Sequence, residues 1–221
     1  MSPDVNSTAG DGEPGLSQAE RAYRSLRDDI LTLALPPGSP VQEEPLSTQL
    51  GIGRTPFREA VKRLESESLI VIYPRRGSFV TEVNITDHAL IDDVRRRIES
   101  HAAWRAAERA TEAERAELDE LRIAVGDMTQ EQAPIMEVDA RVHRALYRCT
   151  HNRYLEATLG QYYNLALRIW CLFFDRLPDV TEHVHEHDEL LKAVVAGENE
   201  RADQIAVGHV DHFEQAIRGV I

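Results

Sequence analysis

Residues 53–65, Gly-Arg-Thr-Pro-Phe-Arg-Glu-Ala-Val-Lys-Arg-Leu-Glu, constrain the fold more than any other stretch of the chain. Phe57, Ala60, Val61 and Leu64 recur at three- and four-residue spacing, which predicts a helix with one buried face. Thr55 is placed to cap it, its hydroxyl meeting N–H groups that the first turn leaves unpaired. Pro56 then falls at the first helical position, where a missing N–H costs nothing. Arg54, Arg58 and Lys62 recur every four residues on another face. Such a helix, apolar behind and basic in front, suits the DNA major groove. Taken alone it reads more readily as a solvated basic face, so its surroundings decide.

Upstream, Ala19, Ala22, Tyr23, Leu26, Ile30 and Leu33 mark one face of a first helix, stopped by Pro36-Pro37-Gly38. Residues 39–44 read as a polar, extended connection. Residues 45–50 read as a second helix ending at Gly51, with Ile52-Gly53 as the turn before the basic helix. Downstream, the β-branched run 69–73 and the short strand 78–81 flank the turn Pro74-Arg75-Arg76-Gly77. Two short helices joined by a glycine-containing turn, with a basic-tipped hairpin behind them, make a winged helix-turn-helix.

The net charge of −13 argues at first against a nucleic-acid partner. Residues 18–83, however, hold nine basic and nine acidic side chains, and 84–221 hold 16 and 26. The acidity belongs to the C-terminal part, and between Arg54 and Arg76 six basic residues face three acidic ones. No run of about 18 apolar residues predicts a membrane span. Residues 1–15, rich in Ser, Gly, Pro and Asp, read as a disordered tail rather than a secretory signal. Cys149 and Cys171 are too few for a disulfide framework, which points to a reducing cytoplasm.

From residue 84 onward no strand-like alternation appears, and five or six helices are expected, forming an antiparallel α-helical bundle. Thr86 is a candidate cap for the first, which runs over 87–109 with Ile91, Val94, Ile98 and Ala102 inward. Thr111-x-x-Glu114 is a capping box for the second, which ends near Gly126. Residues 127–134 read as a loop and 134–149 as the third helix. Helix 153–175 is apolar nearly all round and is expected at the centre. Two more helices flank Gly197. The expected division is a tail over 1–17, a winged helix-turn-helix over 18–83 and a helical domain over 84–221.

Polar residues break the apolar face at four places in this bundle. Asp139 and His143 share the inward face of one helix, His187 is in register with Val184 and Leu191, and His209 with Ile205 and Phe213. A buried ionised Asp is costly unless paired or coordinated, and a divalent cation wants such an anion beside neutral imidazoles. Each His taken alone is better read as a hydrogen-bonded core residue; three with a carboxylate shift the balance toward metal. His183 and His212 are near-inward rivals, so periodicity leaves the ligand set open. His88, His101, His151 and His185 follow no such pattern and are expected at the surface. Arg95 also points inward, with Glu99 one turn on as a possible internal partner. Arg168 is a weaker candidate, and Trp104, Trp170, Phe173 and Phe174 read as core.

Two resemblances sharpen these readings. Gly-Ile-Gly-Arg-Thr-Pro-Phe-Arg-Glu-Ala-Val-Lys-Arg-Leu-Glu, then Leu-Ile and Arg-Arg-Gly-Ser-Phe-Val, resembles the DNA-binding domain of GntR-family bacterial regulators across about residues 18–81. The resemblance implies operator contacts from Arg54 and Arg58 on the helix and from Arg75, Arg76 and Gly77 at the wing tip, and Thr55 and Lys62 of the same helix are added as candidates. Some members carry an arginine where this chain has Glu44, so the operator sequence is not carried over. Asp139-Ala-Arg-Val-His143, His187-x-x-Leu-x-x-Ala-Val-x-x-Gly and a last His 22 residues on resemble the FCD domain of the FadR branch, in its shorter, VanR-like six-helix form. That implies a divalent metal, zinc first with nickel, manganese or iron as alternatives, held by Asp139, His143, His187 and His209. It further implies a small carboxylic acid effector at the open metal positions, helped by Arg95.

The expected function is a homodimeric regulator, a repressor by family default, on a palindromic operator of double-stranded DNA and released by the acid. Two rivals stand beside it. One keeps DNA binding but makes the metal purely structural. The other is a metal-dependent hydrolase, which has no use for the basic N-terminal module.

Overall fold

The computed structural model describes residues 16–126, 132–177 and 180–220. The chain divides into two compact units, one up to Glu82 and one from Val83. The expected tail over 1–15 and residues 127–131 of the expected loop lie outside the described residues.

The first unit holds α1 (Gln18–Leu31), β1 (Pro40–Val41), α2 (Glu43–Leu50), α3 (Arg54–Ser66), β2 (Ile70–Tyr73) and β3 (Gly77–Val80). Ser17 caps α1 by accepting from the Glu20 N–H at 3.1 Å. Its buried face, with Ala22, Leu26 and Ile30, meets Phe57, Ala60, Val61 and Leu64 of α3. α1 stops two residues before Leu33, which adopts a left-handed φ of 62°. The hairpin β2–β3 has the expected turn, and β3 also pairs with β1, giving an antiparallel order β1-β3-β2. The short strand lies inside the segment expected to be a mere connection. Two residues were too few to announce themselves by alternation.

Two helix starts differ from expectation. α2 begins at Glu43, so Pro45 lies in its first turn, where no N–H is needed. α3 begins at Arg54 with Gly53 as its cap, because the Phe57 N–H bonds the Gly53 carbonyl at 3.2 Å. Thr55 therefore sits inside the first turn, exposed, and caps nothing. Pro56 is tolerated there for the same reason as Pro45.

The second unit is helical throughout its described residues: α4 (Ile85–Arg109), α5 (Glu112–Gly126), α6 (Gln132–Cys149), α7 (Arg153–Phe173), a 3-10 turn (Phe174–Arg176), α8 (Val180–Ala196) and α9 (Asn199–Val220). Asn84, not Thr86, caps α4, accepting from the Thr86 N–H at 3.0 Å. The capping box of α5 forms as expected: Glu114 accepts from the Thr111 N–H at 2.8 Å, and the Thr111 hydroxyl accepts from the Glu114 N–H at 3.3 Å. α6 starts at Gln132, so residues 132–134 are helix rather than loop.

The centre of the bundle is α4, which packs against α6, α7, α8 and α9, and not α7, whose Tyr154 and Leu172 are exposed. The expectation failed because α4 buries a polar ladder, His88, Asp92, Arg95 and Glu99, with Ala102 and Ala106. Its larger apolar residues, Ile91, Val94 and Ile98, are only half-buried, and Leu90 is 69% exposed. Hydrophobic periodicity thus marked the inward face only in part: Ala102 and Arg95 are buried as expected, and the three larger apolar residues are not. His88 is accordingly not a surface residue: it is buried, paired with Asp92, and stacked on Phe213 at 5.4 Å. His101, His151 and His185 are exposed, as expected.

α8 ends in a Schellman motif, Glu198 N–H to Ala193 carbonyl and Gly197 N–H to Val194 carbonyl, with Gly197 at φ 73°, where glycine is unstrained. Arg115 then gathers helix ends: its guanidinium donates to the carbonyls of Ala107 in α4, of Ala110 just after it, and of Val194 and Val195 in α8. Arg115→Ala leaves these part-buried carbonyls short of a charged donor and is expected to cost about 3 kcal/mol. Urea denaturation reads this as a lower midpoint with unchanged slope. A midpoint equal to wild type removes Arg115 from the stability of this junction.

Candidate DNA-reading surface and metal centre

In the first unit, α3 presents Arg54, Thr55, Arg58 and Lys62 to solvent. The fourth basic residue of the helix, Arg63, is committed to structure, over the Tyr23 ring at 3.4 Å and bonded to Glu20 at 2.8 Å. Arg58 Nε lies 2.7 Å from Glu43 Oε2, and Arg54 Nε lies 4.0 Å from Glu43 Oε1. Glu43 on α2 thereby gathers the two arginines at the start of α3, a role the sequence reading missed. Exposed pairs of this kind are weak and exchange readily for a phosphate or a base edge. At the wing tip the Arg76 N–H bonds the Tyr73 carbonyl at 3.0 Å, closing a turn with Pro74 second and Arg75 third. Arg75 holds φ 64°, which a non-glycine residue adopts only at a cost, and Gly77 holds φ 100°. Arg75, Arg76 and Gly77 are all exposed.

In the second unit, α6, α8 and α9 bring Asp139, His143, His187 and His209 together, with one ligand atom from each lying within 4.8 Å of the others. All four are buried, none more than 3% exposed. His187 Nε2 is 2.8 Å from Asp139 Oδ1, and His143 Nε2 is 3.7 Å from the same oxygen. Tyr163 donates its hydroxyl to Asp139 Oδ2 at 2.7 Å, and the Tyr147 hydroxyl lies 3.0 Å from His143 Nδ1. His187 Nδ1 and His209 Nε2 are buried with no hydrogen-bond partner among the described residues. A chain rarely leaves such atoms orphaned, and a cation among the imidazoles would satisfy the lone pair at His209 Nε2. Donor set and geometry fit a divalent metal of the zinc, nickel or manganese kind.

The electrostatics agree. Burial pushes His143 down to about 4 and His183 to about 3, and holds His209 well below the usual imidazole range. The His143 and His209 imidazoles are therefore neutral near pH 7, as ligands must be. Burial opposes the charge on Asp139, yet His143 and His187 outweigh it and hold the carboxyl below the ordinary carboxylate range. Between an ordinary value of 6.5 and about 4, the unfolded chain binds a proton on His143 that the folded chain refuses. The metal-free protein is therefore expected to lose stability as pH falls from about 6.5 through about 4. A urea midpoint, taken in chelator, that stays flat across that window would contradict this.

A small pocket adjoins the cluster, lined by Arg95, Asp139, His143, Tyr163, Ala166, Leu167, Trp170, His183 and Phe213. Trp170, read as core, thus also forms cavity wall; Arg168, buried on α7, does not line it. Arg95 is buried, its Nε 2.7 Å from Glu99 Oε1 and its Nη1 3.4 Å from Asp92 Oδ1. The rivals His183 and His212 surround Glu186 instead: its Oε1 is 2.6 Å from His212 Nδ1, and its Oε2 is 3.0 Å from His209 Nδ1 and 3.8 Å from His183 Nδ1.

Comparison with known proteins bears on both units. Residues 18–80 match the family described as bacterial regulatory proteins, gntR family, and residues 91–212 match the FCD domain. The HTH-type transcriptional repressor RspR of Escherichia coli (strain K12) is 24% identical over 205 residues, spanning 91% of this chain and 89% of that protein. Among solved structures, E. coli McbR/YncC superposes with a TM-score of 0.80 at 23% identity, covering 92% of this chain and 98% of that one. A GntR protein from Rhodococcus sp. RHA1 gives 0.69 at 24% identity, covering 93% and 100%. At these identities the two structures speak for the fold alone.

Proposed function

The chain belongs to the GntR family of transcriptional regulators with an FCD domain, and from that premise we propose that it is a metal-dependent sensor of a small carboxylic acid. Its families are regulators rather than enzymes, which leaves the hydrolase reading without support. The observation that carries the proposal is the convergence of Asp139, His143, His187 and His209 beside a cavity that Arg95 lines. A metal there would offer open positions to a carboxylate, and Arg95 would meet its charge.

In this reading a homodimer sets two copies of α3, with Arg54, Thr55, Arg58 and Lys62, on the halves of a palindromic operator, and the wing tips Arg75, Arg76 and Gly77 reach neighbouring positions. The half-exposed stripe of Leu90, Ile91, Val94 and Ile98 on α4 supports pairing of subunits. The acid favours one arrangement of the dimer over another, which needs a differential affinity of about 1–3 kcal/mol. Repression is proposed because RspR carries that description. The place of action is the cytoplasm, where the DNA is, and no described helix is long and apolar enough to cross a membrane.

A second reading has one specific observation behind it. Glu99 and Asp92 already engage Arg95, so the metal can be structural and the arginine an internal partner. Native mass spectrometry of untagged protein, purified without chelators, separates the two. A dimer with one metal per chain and an additional acid, lost in Arg95→Ala while the metal stays, supports the sensor. Metal without acid, unchanged by Arg95→Ala, supports the structural reading. No metal after adding zinc, nickel or manganese returns the histidines to the core.

A further inference from the structure

Resting on the metal reading above, we infer that Glu186 is a positioning residue for the centre. Its carboxylate fixes the tautomer of His209 and turns the Nε2 lone pair toward Asp139, His143 and His187.

A carboxylate only accepts, so at 3.0 Å from Glu186 Oε2 the His209 Nδ1 carries the proton. A neutral imidazole protonated at Nδ1 keeps its lone pair at Nε2. That atom is buried and has no hydrogen-bond partner among the described residues. The opposite tautomer would set a lone pair against the carboxylate and bury an unpaired N–H, two penalties at once. The ring plane is held as well, because His183 stacks on His209 at 4.1 Å with 18° between the planes. Glu186 Oε1 is anchored in turn by His212 Nδ1 at 2.6 Å.

The other ligands have weaker outer contacts. The outer nitrogen of His143 meets a neutral phenol, Tyr147, at 3.0 Å, while Glu99 stays at 3.9 Å, beyond hydrogen-bond reach. Glu186 therefore gives His209 the carboxylate–histidine–metal arrangement that raises ligand basicity and fixes ring orientation, typically worth about 10- to 100-fold in metal affinity. Its side chain is 24% exposed, so solvent reaches the pair from one side and the effect belongs at the lower end of that range.

The test uses the full-length protein, labelled with ¹⁵N-histidine. In the metal-free wild type, long-range ¹H–¹⁵N correlations are expected to show His209 protonated at Nδ1. Zinc affinity, read by competition with a chromophoric chelator, is expected to fall about tenfold or more in Glu186→Ala and less in Glu186→Gln, which keeps an acceptor oxygen. His212→Ala, at an exposed partner of the same carboxylate, is expected to stay within about twofold. A wild-type His209 protonated at Nε2, or unchanged zinc affinity in Glu186→Ala, overturns the role of Glu186 alone. A wild type that binds no zinc, nickel or manganese overturns the metal reading itself, and the outer-shell role with it.

Discussion

Asp139→Asn is expected to lower zinc affinity by at least about 100-fold while leaving the helical bundle folded. Apparent binding free energies at four-ligand zinc sites run about 10–16 kcal/mol, so one ligand in four carries roughly 3 kcal/mol. Asp139 is the anion of the set, and its loss leaves three neutral imidazoles facing a divalent charge. Asn keeps the shape and one of the two acceptor oxygens, so His187 Nε2 retains its acceptor while the amide nitrogen faces the Tyr163 oxygen, and the packing around α6 and α8 is retained. Asp139→Ala removes both acceptors and is expected to lose affinity and thermal stability together. Isothermal titration with zinc and a melting curve on each variant separate the two effects. Asp139→Asn with wild-type affinity removes the carboxylate from the centre.

Arg58→Ala is expected to abolish sequence-specific operator binding with the metal centre untouched. Arg58 projects from the exposed face of α3, opposite Phe57, Val61 and Leu64, so truncating it removes no core contact. A bidentate arginine discriminates a base pair by about tenfold to a hundredfold, and a dimer applies that factor at both half-sites. The residual binding is that of the remaining cations, and it weakens evenly across sequences as salt rises. Glu43→Ala is the informative companion: it frees Arg58 and Arg54 of their shared carboxylate and leaves the guanidinium groups in place. Fluorescence anisotropy against operator and scrambled duplex, at several salt concentrations, reads both terms. Arg58→Ala with intact discrimination removes α3 from base reading.

The N-terminal unit was legible residue by residue. The buried faces of α1 and α3, the Gly51 stop and the hairpin with its basic tip follow from local periodicity and turn chemistry, which act within a few residues. The errors there are of one or two residues, as with Gly53 displacing Thr55 as the cap, because several first-turn placements of a Pro satisfy the same rules. The four residues of the proposed centre were legible as polar residues on otherwise apolar faces, but the choice among them, His183 and His212 came from the resemblance rather than from the pattern. Glu186 was not. It neighbours His187 but reaches His209 on another helix, and no spacing along α8 announces that contact.

The sequence by itself determined which segments are helix or hairpin, where the positive face of the first unit lies, and that Asp139, His143, His187 and His209 break apolar faces. Those are properties of short stretches, set by spacing of 2 or 3.6 residues, capping chemistry and backbone restriction. The tertiary structure alone decided that α4 is the centre of the bundle and that it turns His88 and Asp92 inward beside Arg95 while Ile91, Val94 and Ile98 stay half-exposed. It alone paired Glu186 with His209, while the pair of Arg95 with Glu99 was already open to the sequence. Burial of a charged ladder is permitted only when each charge finds a partner. The partners of the ladder lie one turn apart on α4 itself, whereas Glu186 and His209 meet only because two helices pack, which no local rule contains.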